Sequence, residues 1–364
     1  MNSHFYCVIM AGGIGSRFWP ISRFSKPKQF LSFGGQKTFL RMTYDRFSGI
    51  VPPENIIVVS LGQYAELVRE QLPELPAENL LLEPYNRNTA PCLAYATYSL
   101  LKRDPEAVVV ATPADHLIGD LGLFEETISA ALAYAAGNDS LITLGIVPDR
   151  PDTNFGYIQV TGGKESYNQN IPVKVKTFTE KPDQELAEVF LASGEFLWNS
   201  GIFVWQASVI RGEMEQYLPE VTELFRGWES RLGTPEEGAF IEKVYMNMER
   251  ISVDYGVMEK TEKAWLYPAK FGWADIGNWE SLYSYLSAKD ADGNAVKNGG
   301  KTLLQQDRDN VIYSTAKNKL VAVKGLENYI VIDTDDILMI CPRDDRKIKE
   351  VISQVGMPGF EEYR

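Results

Sequence analysis

Five short apolar runs in the first 145 residues are separated by stretches of helical periodicity, and this alternation constrains the fold most. The runs are Phe5–Met10, Ile56–Ser60, Leu80–Leu82, Val108–Thr112 and Leu141–Gly145. Between them, Leu93, Ala96, Leu100 and Leu101 recur at helical spacing, with Thr89 as the expected N-cap and Pro91 in the first turn. A second helix after Asp120 places Phe124, Ile128, Ala131, Leu132 and Ala135 on one face. Strand–helix alternation of this kind predicts an α/β fold with a mostly parallel sheet covered by helices, and ligands outside the carboxyl ends of its strands.

The pattern then changes. Residues 154–279 are mixed, with strand-like Val173–Glu180 and Ile202–Trp205 around a helix near Asp183–Ala192. The polar stretch Ala288–Gly300 reads as a linker. Beyond it, Asn310–Ser314, Leu320–Lys324, Tyr329–Asp333 and Ile337–Cys341 are short β segments at close intervals, followed by a helix over Asp345–Val355. Such spacing predicts a small C-terminal β unit, with a few turns of β-solenoid as one form of it. The expected division is therefore a catalytic domain over 1–288 and a C-terminal unit over 300–364. The latter carries no catalytic signature and is expected to shield the catalytic domain or join subunits, with a homodimer as the candidate assembly. Its Asp333-Thr334-Asp335-Asp336 turn superficially resembles a D-x-D metal motif but reads as a solvated turn.

Charge distribution points to the ligand. The chain carries a formal charge of −13, yet its first forty-four residues contain no Asp or Glu. That stretch holds Arg17, Arg23, Lys26, Lys28, Lys37 and Arg41, and the run Ala11-Gly12-Gly13-Ile14-Gly15-Ser16-Arg17 directly after the first strand. Glycine lets backbone N–H groups approach phosphate oxygens, and the cations neutralise them. A nucleotide or sugar phosphate is the expected ligand class. The acidic balance argues against nucleic acid or an anionic membrane as partner. Three scattered cysteines, Cys7, Cys92 and Cys341, suit reduced thiols, and no apolar run reaches membrane-spanning length. A cytoplasmic location is expected. With only His4 and His116, histidine-based catalysis has little to draw on.

The loop lacks the glycine that a dinucleotide-binding G-x-G-x-x-G needs at Phe18, and no G-K-[ST] follows. Instead Gly12-Gly13-Ile14-Gly15-Ser16-Arg17-Phe18-Trp19-Pro20 continues to Ser25-Lys26-Pro27-Lys28-Gln29. Further on come Asn86-Arg87-Asn88-Thr89-Ala90-Pro91, Pro113-Ala114-Asp115-His116, Phe155-Gly156-Tyr157-Ile158, Phe178-Thr179-Glu180-Lys181-Pro182, Trp198-Asn199-Ser200-Gly201 and Trp273-Ala274-Asp275-Ile276-Gly277-Asn278-Trp279. Together these resemble the sugar-1-phosphate nucleotidyltransferases, in their mannose-1-phosphate guanylyltransferase branch. The resemblance covers residues from about 5 to 285 and implies a Rossmann-like fold of the nucleotide-diphospho-sugar transferase type.

It also implies a reaction: transfer of GMP from GTP to mannose 1-phosphate, with Mg²⁺ as cofactor. Asp115, at the end of a strand-like segment, and Asp275, in a glycine-flanked turn, suit an oxygen-ligated cation. The implied catalytic residues are Arg17, Lys28, Asp115 and Asp275. The nucleotide would meet Ala11, Gly12, Gly13, Gly15, Arg17, Lys28, Glu83, Asn88, Thr89 and Asp115. For the guanine edge, the Glu83 carboxylate and nearby backbone carbonyls serve equally well. The sugar phosphate would meet Gly156, Glu180, Lys181 and Asn199, while His116 and Trp198 read as structural. Asp254 reads as structural too, with a supporting role near the sugar as the alternative. Rival readings are the same chemistry on a manno-heptose or glucose 1-phosphate or with another nucleoside triphosphate, a glycosyltransferase, and a non-catalytic sugar-nucleotide sensor. No phosphomannose isomerase activity is expected from a chain of this length.

Overall fold

The computed structural model describes the whole chain except Ile14, Gly34, residues 168–170, Ser287 and the side chain of Ser16. Ile14, part of the glycine run, thus lies outside the described residues. The chain divides into two compact units, and each interrupts the other in sequence. One comprises Met1–Gly12, Leu40–Ala114 and Ile118–Trp273; the other comprises Gly13–Phe39, Asp115–Leu117 and Ala274–Arg364.

The first unit is built on β1 (Phe5–Met10), β2 (Ile56–Leu61), β3 (Leu80–Glu83) and β4 (Val108–Pro113). After β5 (His116–Ile118) come β6 (Leu141–Ile146), β7 (Tyr157–Val160), β8 (Val173–Thr179), β9 (Phe196–Gln206) and β10 (Ala264–Ala269). The sheet order is β3-β2-β1-β4-β9-β6-β10-β8-β7. Its β3-β2-β1-β4 half is parallel, as the alternation predicts. The other half is mixed, because β9 runs antiparallel to both β4 and β6. An eleven-residue strand that enters the middle of the sheet from the far side reverses the local direction. Such an entry is fixed by distant partners, so sequence periodicity carries no sign of it.

The helix Thr89–Arg103 is buried without a break from Ala90 to Leu100, as expected where a helix is covered all round. Its N-cap is Asn88 rather than the expected Thr89. Asn88 sits at φ +75°, and its side chain accepts from the Thr89 N–H. Asn tolerates the left-handed region better than a β-branched residue, which places the cap one position earlier. Asp120 caps the helix Leu121–Gly137, whose buried positions include all five expected residues. No described helix is long and apolar enough to cross a membrane.

β11 (Trp273–Asp275) begins at the last residue of the first unit, and in the second unit a parallel ladder is formed by β12 (Ala295–Asn298), β14 (Val311–Ser314) and β16 (Tyr329–Asp333). A second parallel pair joins β13 (Lys301–Gln305) to β15 (Leu320–Lys324), and β17 (Leu338–Pro342) closes the larger ladder antiparallel. Ala295, Val311 and Ile330 lie in register, so successive turns stack directly. Buried asparagines support the stack: Asn294 Oδ1 accepts from Asn310 Nδ2 (2.9 Å), and Asn310 Oδ1 accepts from the Tyr329 N–H (2.8 Å). The Asp333–Asp336 turn is solvated at Asp335 and Asp336 but not at Asp333. Asp333 is 4% exposed and accepts from Ser314 Oγ and Lys319 Nζ, while Asp336 pairs with Arg23. Asp333 and Asp336 thus each have a partner from elsewhere in the unit, which proximity in sequence cannot show.

Candidate active site

In the second unit, the glycine loop folds back on its own continuation. Gly15 has φ +55°, and a Cβ there would fall 2.6 Å from Lys28 Cβ, so the position requires glycine on both counts. Ser22 Oγ donates to Gly15 O (2.5 Å) and Gln29 Nε2 to Gly13 O (2.9 Å), which ties the loop carbonyls to the segment that carries Lys28. Lys28 is 3% exposed, and its ammonium lies 5.7 Å and 5.3 Å from the ring centres of Phe18 and Phe39.

A buried ammonium needs paired charge. Lys28 Nζ donates to Asp115 Oδ2 at 2.7 Å and reaches Asp275 Oδ1 at 3.5 Å. Burial would lower the lysine pKa, but the two carboxylates outweigh it and hold it above its ordinary value. Burial likewise pushes Asp115 up, and the charges of Lys28 and His116 overcome that and hold it below the usual range. One ligand atom each from Asp115, His116 and Asp275 lie within 4.8 Å of one another. One ammonium does not neutralise two carboxylates, and the clustered donors fit a divalent cation. Arg17 is exposed. Gly277 borders it closely: a Cβ there would lie 3.6 Å from Asp275 Oδ2 and 3.8 Å from Arg17 Nη1.

The first unit holds the other candidates in two groups. Gly12 lies against Glu83, where a Cβ would come within 2.9 Å of Oε2. Asn86 Nδ2 donates to Gly12 O (3.0 Å), and Tyr245 Oη donates to Glu83 Oε1 (2.9 Å). The Ala11 N–H donates to Val59 O (2.8 Å), continuing the β1–β2 ladder. Asn88 and Thr89 are engaged in backbone capping: Asn88 Oδ1 accepts from the Thr89 N–H, and Thr89 Oγ1 accepts from the Val253 N–H (3.0 Å).

The second group surrounds Gly156. A Cβ there would lie 2.3 Å from Glu180 Oε2 and 3.3 Å from Asn199 Cβ, so glycine keeps this cradle open. Glu180 Oε1 pairs with Lys181, whereas Oε2 is buried with no hydrogen-bond partner among the described residues. Lys181 has φ +48°, an uncommon conformation for a residue with a Cβ. Asn199 Oδ1 accepts from Thr143 Oγ1 (2.8 Å) and the Gly201 N–H (3.1 Å), and its Nδ2 donates to Asp254 Oδ1 (2.8 Å). Asp254 opens a π-helical turn, Asp254–Met258, and burial together with the Glu180 charge pushes its carboxyl up to about 6. Trp198 is 4% exposed and packs on Phe155, as a core aromatic should.

The structure thus brings together Lys28, Asp115 and Asp275, then Gly12 and Glu83, and separately Gly156, Glu180, Lys181 and Asn199. His116, read from sequence as structural, joins the carboxylate cluster. Sequence reasoning misses Asn86 and Tyr245. Asn86 opens the Asn86–Pro91 motif, but nothing near Tyr245 in sequence marks it as the partner of Glu83.

The Glu83 environment gives a pH prediction. Burial raises its pKa from 4.5 to about 7, with the Tyr245 hydroxyl pulling the other way. A carboxyl raised on folding contributes its stability below the unfolded pKa and loses it as pH climbs through the folded one, here between 4.5 and about 7. Such a shift corresponds to about 3 kcal/mol. Glu83→Gln removes the titration, so its stability relative to wild type should rise by up to that amount across the window. Urea unfolding at several pH values checks this, and a difference independent of pH would contradict it.

Comparison with known proteins identifies the family. A family model described as nucleotidyl transferase matches residues 6–291, and one described as a MannoseP isomerase/GMP-like beta-helix domain matches residues 304–355. The mannose-1-phosphate guanylyltransferase of Escherichia coli K12 is 36% identical over 374 aligned residues, covering all of this chain and 76% of that protein. The xanthan biosynthesis protein XanB of Xanthomonas campestris strain B100 is 35% identical, covering 98% of this chain and 74% of that protein. A crystal structure from Thermus thermophilus, described as a mannose-1-phosphate geranyltransferase, superposes with a TM-score of 0.85 at 31% identity, covering 97% of this chain and all of that one. A family match over most of the length, with full-length relatives above 30% identity, leaves one conclusion. The chain belongs to the nucleotidyl transferase family, among the mannose-1-phosphate guanylyltransferases.

Proposed function

We propose that this protein transfers GMP from GTP to α-D-mannose 1-phosphate, giving GDP-mannose and pyrophosphate, with Mg²⁺ at Asp115 and Asp275. The observation that carries the reading is the Lys28–Asp115–Asp275 cluster, with His116 beside it, in a chain that keeps the phosphate loop complete. The attacking oxygen belongs to a phosphate already ionised at neutral pH, so no general base is needed. A bond forms from that oxygen to the α-phosphorus as the bond to the bridging oxygen breaks and pyrophosphate leaves. Catalysis then consists of in-line positioning and charge stabilisation. A bound divalent cation supplies Lewis-acid charge to the phosphate oxygens.

Lys28 supplies charge that is fixed in advance, since its carboxylate partners keep it protonated throughout the neutral range. Arg17 follows the charge that develops on pyrophosphate. Lys181 takes the sugar phosphate, and Glu180 Oε2, an acceptor without a partner among the described residues, suits a sugar hydroxyl. The Glu83 carboxylate already accepts from Tyr245, so backbone carbonyls of the segment after β3 are the stronger candidates for reading guanine. The three cysteines are free thiols, which suits a cytoplasmic enzyme. Pyrophosphate release across GTP, ATP, UTP and dTTP with mannose, glucose and manno-heptose 1-phosphates tests the reading. GTP with mannose 1-phosphate should be the best pair. Glucose 1-phosphate with UTP or dTTP as the best pair would overturn the substrate assignment.

Sugar choice gives a sharper prediction. Mannose and glucose 1-phosphates differ only in the direction of the C2 hydroxyl, so polar pairing must separate them. Asn199→Ala empties the space beside Gly156 and leaves Asp254 without its amide partner. Catalytic efficiency with mannose 1-phosphate should fall by about 1–3 kcal/mol of transition-state stabilisation, and less with the glucose analogue. The ratio of the two efficiencies at saturating GTP is the measurement. An unchanged ratio would place sugar reading elsewhere.

A further inference from the structure

The phosphate loop is held by the C-terminal end of the chain. Its turn from Pro20 to Lys26 is closed by paired backbone bonds between Arg23 and Lys26 (3.2 and 3.0 Å), and Arg23 Nε donates to Pro20 O (3.0 Å). The remaining two guanidinium nitrogens form a fork on one carboxylate: Nη1 to Asp336 Oδ2 at 2.8 Å and Nη2 to Asp336 Oδ1 at 2.6 Å. Asp336 lies in the turn after β16, 313 positions away, and is held in place by Thr334 Oγ1 (3.0 Å). A second tie runs from Trp19 Nε1 to Tyr363 O at 2.7 Å. In the same unit, Phe18 and Phe33 pack with Trp279, and Phe33 and Trp279 each reach Tyr313 of β14 at 6.1 Å between ring centres.

These ties lie inside the loop that presents Arg17 and Lys28. Trp19 follows Arg17 by two residues, and the Arg23 turn is the segment that joins Arg17 to Lys28. An isolated surface ion pair contributes little stability, because water competes and long side chains must be ordered. A bidentate Arg–carboxylate fork is directional, however, and fixes orientation. We propose that Asp336 and Arg23, with the Trp19–Tyr363 hydrogen bond, make the C-terminal β unit a positioning element of the phosphate loop, so that nucleotide binding depends on residues more than 300 positions from it. This rests on the GTP-dependent reading given above. It goes beyond the sequence-based expectation that this unit shields the catalytic part or joins subunits.

The test uses the full chain. Asp336→Ala should raise KM for GTP about ten-fold while KM for mannose 1-phosphate stays within about two-fold. The melting temperature should move by no more than about 2 °C, since the pair is partly exposed. Asp336→Glu, which keeps the charge and the fork, should recover most of the GTP affinity. Trp19→Phe, which replaces the indole and its N–H by a smaller phenyl ring, should shift GTP affinity in the same direction. Calorimetry with GTP alone gives the binding change without turnover. An unchanged GTP affinity in Asp336→Ala would overturn the proposal, as would equal losses for GTP and sugar phosphate with a fall in melting temperature. If wild type turned over no sugar 1-phosphate, the proposed reaction would fail, while GTP calorimetry would still decide for or against the latch.

Discussion

Asp275→Asn is expected to lower kcat by roughly 10²–10⁴-fold while leaving the fold intact. The substitution removes a charge and keeps the volume. Lys28 retains its shorter bond, to Asp115 at 2.7 Å, so the ammonium stays satisfied and the loop stays in place. What is lost is one of two carboxylates suited to a divalent cation, and with it a contact strengthened in the transition state. GTP should still bind through the loop and the base site. Steady-state kinetics at saturating substrates and moderate Mg²⁺ measures the effect. Retention of more than about half the activity would remove Asp275 from the catalytic group.

Lys28→Met should act twice. It leaves Asp115 and Asp275 without the ammonium that lies at 2.7 and 3.5 Å from them, and breaking a buried pair from one side costs about 3–5 kcal/mol. The sign with pH follows from Asp115, whose carboxyl is held below its ordinary 3.8. A depressed carboxyl contributes stability above its unfolded pKa and loses it as pH falls through the folded one. The gap between wild type and variant should therefore be full at neutral pH and close in acid. Adding Asp275→Asn should return part of the lost stability by removing one uncompensated charge. The second effect is on ligand binding: GTP should weaken far more than guanosine, because the lost cation matters only when phosphate is present. Calorimetry with both ligands separates the cases. Equal losses would mean that Lys28 supports the fold and does not meet phosphate.

Local patterns in the sequence translate almost directly into elements. β1, β15, β16 and the helix Asp345–Val355 have the bounds that periodicity predicts, because apolar alternation and capping are decided among near neighbours. Long-range choices are another matter. The antiparallel course of β9 depends on its pairing with β4 and β6, and neither leaves a mark within Phe196–Gln206. At the site, the motifs named Lys28, Asp115, Asp275, Glu180 and Asn199, but not how they face one another. The text of the chain offers no hint that Lys28 is buried against both aspartates. Nor does it hint that Asn199 has three of its hydrogen-bonding positions committed to Thr143, Gly201 and Asp254. The Tyr245–Glu83 bond joins positions 162 apart, and the Arg23–Asp336 fork positions 313 apart. Contacts of that separation become visible only once the chain is folded.

Label tracing tests the central claim most directly. GTP labelled at the α-phosphorus, incubated with mannose 1-phosphate and Mg²⁺, should place its label in GDP-mannose. GTP labelled at the γ-phosphorus should place its label in pyrophosphate, in equal amount. Label from the γ-phosphorus appearing in a sugar phosphate or in orthophosphate would show phosphoryl transfer or hydrolysis in place of nucleotidyl transfer, and would contradict the account.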